Sequence, residues 1–391
     1  MTPLERRATL SLSLIFVLRM LGLFMILPMF ALYAAELRGT TPAGLGLALG
    51  IYGLTQALLQ LPFGLASDRF GRKPVIVIGL LIFAAGSAMA ALADDIHWVI
   101  VGRALQGAGA IGAVINALLA DLTRETVRSA AMAGLGISIG ACFLLAMVLG
   151  PVLNAWLSGA GIFWLSAGLG LASILVLLLW VPDAPRRTLS AEPHSWRELL
   201  KVLADRELLR LDGGIFILHA ILTSLFVAIP LALRDAGLDS QQHWRVYLPV
   251  MLLSVVLLAP LLYFSEKRSA LRQVFLFGVL CLAVAQAGLS LSHQGVWSMT
   301  LLLLLFFTGF NLLEAMLPSL ISRRAPEDHR GAALGVYSSL QFFGTFVGGA
   351  VGGLMLARFG VAGVFAFSAV LAVIWSSFAG FMRTPEPVLS E

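Results

Sequence analysis

The 391 residues are 59% hydrophobic and 12% charged, with a mean hydropathy of +0.93. Soluble domains carry about 25% charged residues, so the composition excludes an ordinary soluble enzyme. The formal net charge is +5. However, the Lys and Arg residues lie in the connections between apolar segments and not on one face of a fold, which argues against a nucleic-acid-binding protein. Cys142 and Cys281 lie within apolar segments and are predicted to be small hydrophobic residues, not a disulfide or a metal site.

Apolar segments recur along the whole chain, and each is long enough to cross the ~30 Å hydrocarbon layer of a bilayer. The first follows Arg6 and Arg7, as the core of a signal peptide would, but it is too long for that role and carries Arg19. The sequence predicts an all-α membrane protein with twelve transmembrane helices, at residues 10–35, 42–66, 75–93, 98–121, 130–157, 161–182, 211–234, 245–264, 273–292, 297–321, 331–357 and 361–382.

The longest polar connection divides these spans into two sets of six. We expect a first half at 1–182, a cytoplasmic linker at 183–210 and a second half at 211–391. Ser195–Leu209 in the linker is predicted to form an amphipathic helix on the membrane surface. A shift of 202 residues aligns spans 5 and 11 at matched small residues, Ala146 with Gly348 and Gly150 with Gly352. Two pseudo-symmetric halves are typical of secondary transporters.

The distribution of basic residues predicts the orientation. With the N-terminus in the cytoplasm, twenty Lys and Arg residues are cytoplasmic, four are external and two lie within spans. This excess follows the positive-inside rule. We therefore expect a multi-pass protein of the bacterial inner (plasma) membrane with both termini in the cytoplasm. We also expect it to be a monomer whose partners are the lipid bilayer and a small-molecule substrate, with no nucleic acid.

The connection between spans 2 and 3 carries a specific motif, G-x-x-x-D-R-x-G-R-K, formed by Gly64, Asp68, Arg69, Gly71, Arg72 and Lys73. This motif resembles in full the signature of the major facilitator superfamily. The surrounding residues 50–74 and the later residues 311–322 resemble the YajR-type branch of its drug:proton antiporters, and the resemblance covers nearly the whole chain. Members of this branch often carry a soluble C-terminal domain. We expect this chain to lack it, because it ends at Glu391, just after span 12.

The same motif predicts a conformational gate. Asp68 can accept hydrogen bonds at the N-terminus of a neighbouring helix, where the macrodipole favours an anion; the superfamily fold implies span 11, near Gly331. Arg72 can pair with Asp121 at the end of span 4. Such contacts would hold one conformation and break in the other. The alternative is an ordinary positively charged cytoplasmic loop.

Spans 4 and 5 resemble two further motifs. Arg103, Gln106 and Gly107 match R-x-x-Q-G, and the resemblance links Arg103 to proton coupling; the alternative is that backbone carbonyls satisfy it. A buried guanidinium costs about 2.5–3.5 kcal/mol on insertion scales and needs a partner. Gly150-Pro151 is the core of the antiporter motif and predicts a kink. Four of the expected glycines are replaced, by Ile137, Ala146, Asn154 and Ala155.

The intramembrane polar residues are predicted to mark a cavity. Arg19, Arg103, His219 and Glu314 each lie on a different one of spans 1, 4, 7 and 10, the spans that line the central cavity in this superfamily. The predicted substrate cavity comprises Arg19, Met20, Phe24, Gln106, Asn116, Thr223 and Asn311.

Glu314, His219 and Arg103 are predicted to handle the coupling proton. Glu314 is interpreted as the only carboxylate well inside an apolar segment, and the alternative is an ion pair with Arg19, Arg103 or His219. For His219, which titrates near neutrality, the alternative is a neutral, hydrogen-bonded ring. Gln56, Gln60, Tyr337 and Gln341 are interpreted as serving helix contacts.

The sequence therefore predicts a proton-coupled secondary transporter that exports small amphipathic or drug-like molecules by alternating access. The alternative is a symporter or uniporter that imports a nutrient such as a sugar or an organic anion. No cofactor or metal is expected beyond protons as the coupling ion. An enzyme is not expected, because the chain has no H-E-x-x-H, G-x-S-x-G or P-loop motif.

Overall fold

The computed structural model describes residues 1–183, 204–267, 270–326 and 330–380, and these residues are almost entirely helical. Within the described ranges, extended pairing is confined to an isolated bridge between Arg38 and Asp95. The helices are α1 (Pro3–Phe24), α2 (Leu27–Ala35), α3 (Pro42–Phe70), α4 (Arg72–Ala91), α5 (Ile96–Ala108), α6 (Gly112–Asp121), α7 (Glu125–Leu179), α8 (Arg206–Asp235), a 3₁₀ turn (Ser240–Gln242), α9 (Trp244–Lys267), α10 (Leu271–Leu291), α11 (Val296–Arg324) and α12 (Arg330–Ala379).

Ten segments in the described part of the chain are long and apolar enough to cross a membrane. Two of them are much longer than one crossing requires: Glu125–Leu179 has 55 residues and Gly331–Ala379 has 49. Each contains one residue with non-helical dihedrals, Ser158 (φ 57°) and Gly360 (φ 65°), where the sequence predicts the gaps between spans 5 and 6 and between spans 11 and 12. With each counted as two crossings, the segments correspond to the twelve predicted spans.

Two predicted spans are interrupted, which the apolar pattern does not indicate. Span 1 is divided into α1 and α2 at residues 25–26, where Pro28 lacks the N–H that would continue the helix ladder. Span 4 is divided into α5 and α6 at residues 109–111, where Gly109 adopts a ψ of 52°. Each break leaves backbone carbonyls without helical partners, and both breaks take part in the site described below.

The N-terminus of α1 lies earlier than predicted, at Pro3 instead of residue 10. The Thr2 hydroxyl accepts a hydrogen bond from the Glu5 backbone amide, and the Glu5 carboxylate accepts one from the Thr2 amide. This capping box satisfies two amides that the helix itself leaves free. The predicted surface helix at Ser195–Leu209 lies for the most part outside the described residues, and its last residues belong to α8.

The chain divides into two compact units, Met1–Pro193 and His194–Glu391, and the boundary lies inside the predicted linker. Glycines allow close helix packing within each unit. In the first, a Cβ at Gly150 of α7 would lie 2.3 Å from the Met25 carbonyl oxygen. In the second, a Cβ at Gly348 of α12 would lie 2.1 Å from the Ala220 carbonyl oxygen of α8. Matched small residues in spans 5 and 11 thus bring backbones together in both units.

Candidate functional site

Three helices of the second unit bring Glu314 and His219 together. Glu314 lies on α11, His219 on α8, and the side chain of Gln341 on α12 lies between them. The Gln341 amide nitrogen is 2.9 Å from His219 Nε2 and donates to Glu314 Oε1 at 3.3 Å. His219 Nε2 is 3.9 Å from Glu314 Oε2, and the side chains are 12% and 37% exposed. The amide therefore links a carboxylate to an imidazole inside a membrane-spanning unit.

The arrangement of this cluster depends on protonation. With the amide nitrogen facing both groups, Glu314 and the Nε2 atom of His219 act as acceptors. A proton on either group would turn it into a donor, and the Gln341 amide would have to rotate to present its oxygen. In the neutral ring His219 Nδ1 then carries the hydrogen. Glu314 Oε2 is buried and has no hydrogen-bond partner among the described residues, so the carboxylate retains a site for a proton.

Gln341 belongs to this cluster, although the sequence analysis assigned it to helix contacts. Asp212 is a second buried carboxylate in this unit, and it lies near the start of the candidate membrane-spanning segment Arg206–Asp235. The interpretation of Glu314 as the only carboxylate well inside an apolar segment stays a prediction. The sequence does not single out Asp212, because it is the second residue of predicted span 7.

Arg19 in the first unit is fully buried, and one nitrogen makes all of its hydrogen bonds. Arg19 Nη2 donates to the Tyr52 hydroxyl (3.0 Å), to Gln56 Oε1 (2.8 Å) and to the Gly109 carbonyl (2.9 Å). The Gly109 carbonyl lies at the break in span 4 and also accepts a hydrogen bond from the Ile111 amide at 2.9 Å. Arg19 Nε and Nη1 are buried without a partner among the described residues. The interruption of one helix thus supplies part of the polar surroundings that a guanidinium in a membrane requires.

Arg103 is buried beside Arg19 and shares Tyr52 with it. Its Nε donates to the Ala48 carbonyl at 3.3 Å, and its Nη1 donates to Gln106 Oε1 at 2.9 Å. The guanidinium carbon lies 5.3 Å from the centre of the Tyr52 ring, a cation–π contact. Tyr52 therefore contacts both arginines, through its hydroxyl and through its ring face. The sequence analysis left Tyr52 out because a tyrosine in an apolar helix carries no spacing signal.

The remaining predicted cavity residues differ in exposure. Met20 and Thr223 are buried, and the Thr223 hydroxyl donates to the His219 carbonyl of its own helix. Phe24 is half-buried and packs edge-on against Phe143, with ring centroids 5.2 Å apart. Asn311 is half-buried and donates to a serine hydroxyl of α9, whereas Asn116 is exposed. Their assignment to a substrate cavity stays a prediction.

The gate motif forms a network of charges between α3, α4 and α6. Arg72 Nε donates to Asp121 Oδ2 at 3.1 Å, the pair expected from the sequence. Arg72 Nη1 lies 2.6 Å from Asp68 Oδ1 and donates to the Ser67 hydroxyl at 2.6 Å. Arg72 is thus held by two carboxylates of its own unit. The gating role of the network, and the expected contact of Asp68 with span 11, stay predictions.

The other residues of the motif shape the turn between α3 and α4. Gly71 has a φ of +94°, which only glycine adopts without strain, and it ends α3 and starts α4. Arg69 lies over the ring of Phe70 at 5.5 Å. A Cβ at Gly64 would meet nothing closer than 3.9 Å. Lys73 donates to Asp183 at 2.5 Å, and this hydrogen bond holds the pKa of the Asp183 carboxyl below its usual range.

Gly150 and Pro151 lie inside α7 against the break in span 1. A Cβ at Gly150 would lie 2.3 Å from the Met25 carbonyl oxygen and 2.9 Å from Pro28 Cγ. The glycine is therefore required for the close approach of α7 to the α1–α2 junction. The antiporter-motif residues therefore lie where α7 meets the break in span 1. The non-helical dihedrals of α7 occur at Ser158, so the kink at Gly150-Pro151 stays a prediction.

Across the described ranges, no group of three or more His, Cys, Asp or Glu side chains is placed to hold a metal ion. Cys142 and Cys281 are both free and buried. Cys142 lies in α7 and its thiol contacts the Val17 carbonyl of α1 at 3.4 Å.

Comparisons with known proteins agree with this architecture. A family model described as Major Facilitator Superfamily matches residues 12–310 and, in a second match, 211–391. The inner membrane transport protein YajR of Escherichia coli (strain K12) is 46% identical over 391 residues, which are 100% of this chain and 86% of that protein. The multidrug resistance protein MdtH of Yersinia enterocolitica is 29% identical over 350 residues, 85% of this chain and 81% of that protein.

A solved structure extends the comparison to the fold. The crystal structure of a bacterial homolog to the human lysosomal transporter Spinster, inward-facing and occupied, matches with a TM-score of 0.80 at 15% identity. The match covers 98% of this chain and 97% of that one. At that identity the likeness concerns the fold alone.

Proposed function

This chain belongs to the Major Facilitator Superfamily and is a multi-pass membrane transporter, and we propose that it exports small amphipathic molecules from the cytoplasm in exchange for protons. The observation that carries the proposal is the cluster of Glu314, Gln341 and His219, in which a carboxylate and an imidazole share one amide inside the membrane-spanning part of the chain. A carboxylate and an imidazole are groups that can take up and release a proton during a transport cycle.

The direction of transport is supported by two further features. Gly150-Pro151 matches the core of the antiporter motif and packs against the break in span 1. A relative that shares 29% of its residues is a multidrug resistance protein. Because the relative with 46% identity is an inner membrane transport protein, we place this chain in the inner membrane, with both termini in the cytoplasm as the charge distribution predicts.

In the proposed cycle, each half keeps its internal packing and access alternates around a site near the midplane. A proton on Glu314 rotates the Gln341 amide and changes the hydrogen bonds that hold α11 to α12 and α8. Loss of that proton restores the arrangement described above. The network around Arg72 gates the cytoplasmic side.

Transport into inside-out membrane vesicles tests the direction and the coupling. With the vesicle interior acidic and ethidium outside, wild-type vesicles are expected to accumulate ethidium, and collapse of the pH gradient with nigericin is expected to release it. Vesicles that contain Glu314→Gln should not accumulate the dye above the level of empty vesicles. Accumulation driven only by the opposite gradient would contradict export and support the importing symporter. If ethidium is not transported, acriflavine and other amphipathic cations are tested before the substrate class is rejected.

A further inference from the structure

Asp212 is a buried carboxylate that the proposed cycle above does not use. It lies in α8, seven residues into the membrane-spanning segment Arg206–Asp235, and is 1% exposed. Neither of its carboxylate oxygens has a hydrogen-bond partner among the described residues. Burying a carboxylate that is charged and unpaired costs several kcal/mol. A carboxyl group in such surroundings is therefore either a persistent neutral acid or a group that exchanges a proton during function.

The surroundings of Asp212 contain a second polar group without a partner. The Tyr337 hydroxyl of α12 is buried and makes no hydrogen bond within the described ranges. It lies within electrostatic range of two carboxylates, Glu314 and Asp212. Two charged residues of the same helix lie close in sequence, Glu207 and Arg210, and they form an ion pair with each other at 2.5 Å.

The alignment of α8 with α12 shows where Asp212 and Tyr337 lie relative to the Glu314 cluster. Gly344 approaches the Phe216 carbonyl, and Gly348 approaches the Ala220 carbonyl. Both pairs are separated by the same 128 residues, so the two helices run parallel in close contact. Tyr337 lies one turn before Gln341 on α12, and Asp212 lies two turns before His219 on α8. The groups therefore continue the Glu314 cluster towards the starts of both helices.

We propose that Asp212 is a second proton-binding site, which exchanges its proton with Glu314 through the hydroxyl of Tyr337. The proposal rests on the proposed function, since it extends the proton path from Glu314 towards the side of the membrane where α8 begins. In the transfer, the O–H bond of the Glu314 acid breaks and its proton binds the Tyr337 oxygen, while the original Tyr337 proton passes to the Asp212 carboxylate. The products are a Glu314 carboxylate and an Asp212 acid, and Tyr337 is unchanged.

A purely structural acid is the alternative, and the arrangement argues against it. An apolar residue of similar volume would fill the same space without the cost of an unpaired polar group. A structural role would also not require the Tyr337 hydroxyl, which likewise lacks a partner. Proton exchange explains both unpaired oxygen-bearing groups together, with a bridging water completing the path between them.

Infrared difference spectroscopy on the purified full chain tests the proposal without any substrate. Spectra are recorded between acidic and alkaline pH for the wild type, Asp212→Asn and Glu314→Gln, with Asp235→Asn as the control for an exposed aspartate. We expect Asp212→Asn to remove one protonated-carboxyl band and to move the pH midpoint of the Glu314 band by about one unit, as interacting sites do. The control should change neither. If Asp212→Asn gives the same difference spectrum as the control, Asp212 does not titrate and the proposal fails.

A pH jump followed with an indicator dye tests the role of the hydroxyl. Tyr337→Phe keeps the ring but removes the relay, so we expect both carboxyl bands to remain while proton exchange slows about tenfold or more. Unchanged exchange would overturn the relay. Asp212→Glu retains a carboxyl and should retain the second band, which separates loss of the site from misfolding of Asp212→Asn. Because no substrate is present, a failure of ethidium export would overturn the proposed function without altering these results.

Discussion

Replacement of Gly150 by alanine perturbs the contact between α7 and the α1–α2 junction. The added Cβ would lie 2.3 Å from the Met25 carbonyl oxygen and 2.9 Å from Pro28 Cγ. Both neighbours belong to the backbone or to a ring, so neither can rotate away as a flexible side chain would. Overpacking of this kind costs about 1–3 kcal/mol, and we expect the upper part of that range because α7 must move away from the α1–α2 junction.

The same helix provides a matched control. A Cβ at Gly140, also in α7, would meet nothing within 4 Å, so Gly140→Ala should be neutral or slightly stabilising, as alanine is in a helix. The free energy of unfolding in mixed micelles is measured for both variants. We expect Gly150→Ala to be less stable than Gly140→Ala by about 2 kcal/mol or more. Equal stability of the two variants would show that the approach of α7 to Met25 is not tight.

Three further predictions concern the first unit. A double-mutant cycle of Arg72→Gln and Asp121→Asn should give a coupling energy of about 0.5–3 kcal/mol in unfolding, and a value near zero would remove this pair from the gate. Tyr52→Phe removes one hydrogen-bond acceptor of the Arg19 guanidinium but keeps the ring, and should lower the free energy of unfolding by about 1–3 kcal/mol. Tyr52→Leu also loses the ring face and should lower it further. The His97 backbone amide, together with the His97 ring, holds the pKa of the Asp95 carboxyl below its usual range. Stability from this carboxylate is therefore present above the unfolded-state pKa of about 3.9 and is lost as the pH falls through the lowered value. Asp95→Asn, which retains a capping acceptor, should thus have a lower Tm than the wild type at neutral pH and an equal one at strongly acidic pH. A Tm difference that is independent of pH would contradict the assignment.

The membrane-spanning helices could be predicted because apolar length and charge distribution are properties of the sequence alone. The breaks in spans 1 and 4 could not, because they depend on where a freed carbonyl finds its partner. The Gly109 carbonyl is stabilised by a guanidinium from another helix, and the Met25 carbonyl lies against a glycine of a third. Neither contact can be predicted from the spacing of residues along the sequence.

The residues of the candidate site were likewise predicted only in part from the sequence. Glu314 and His219 could be selected from the sequence because an ionisable residue inside an apolar segment is conspicuous. Gln341 is ordinary in a membrane helix, and it becomes significant only when three helices place it between Glu314 and His219. Asp212 was not singled out from the sequence, since its burial depends on how the helix that begins at Arg206 packs.

Proton release on substrate binding tests the central claim most directly. Purified protein in a weakly buffered detergent solution at constant pH is mixed with ethidium, and the released protons are followed with a pH electrode or an indicator dye. We expect the wild type to release protons in proportion to bound ethidium, and we expect Glu314→Gln to bind the dye without releasing them. Asp235→Asn, at an exposed ion pair, should behave as the wild type. Equal proton release by the wild type and Glu314→Gln would contradict the assignment of the coupling proton to Glu314.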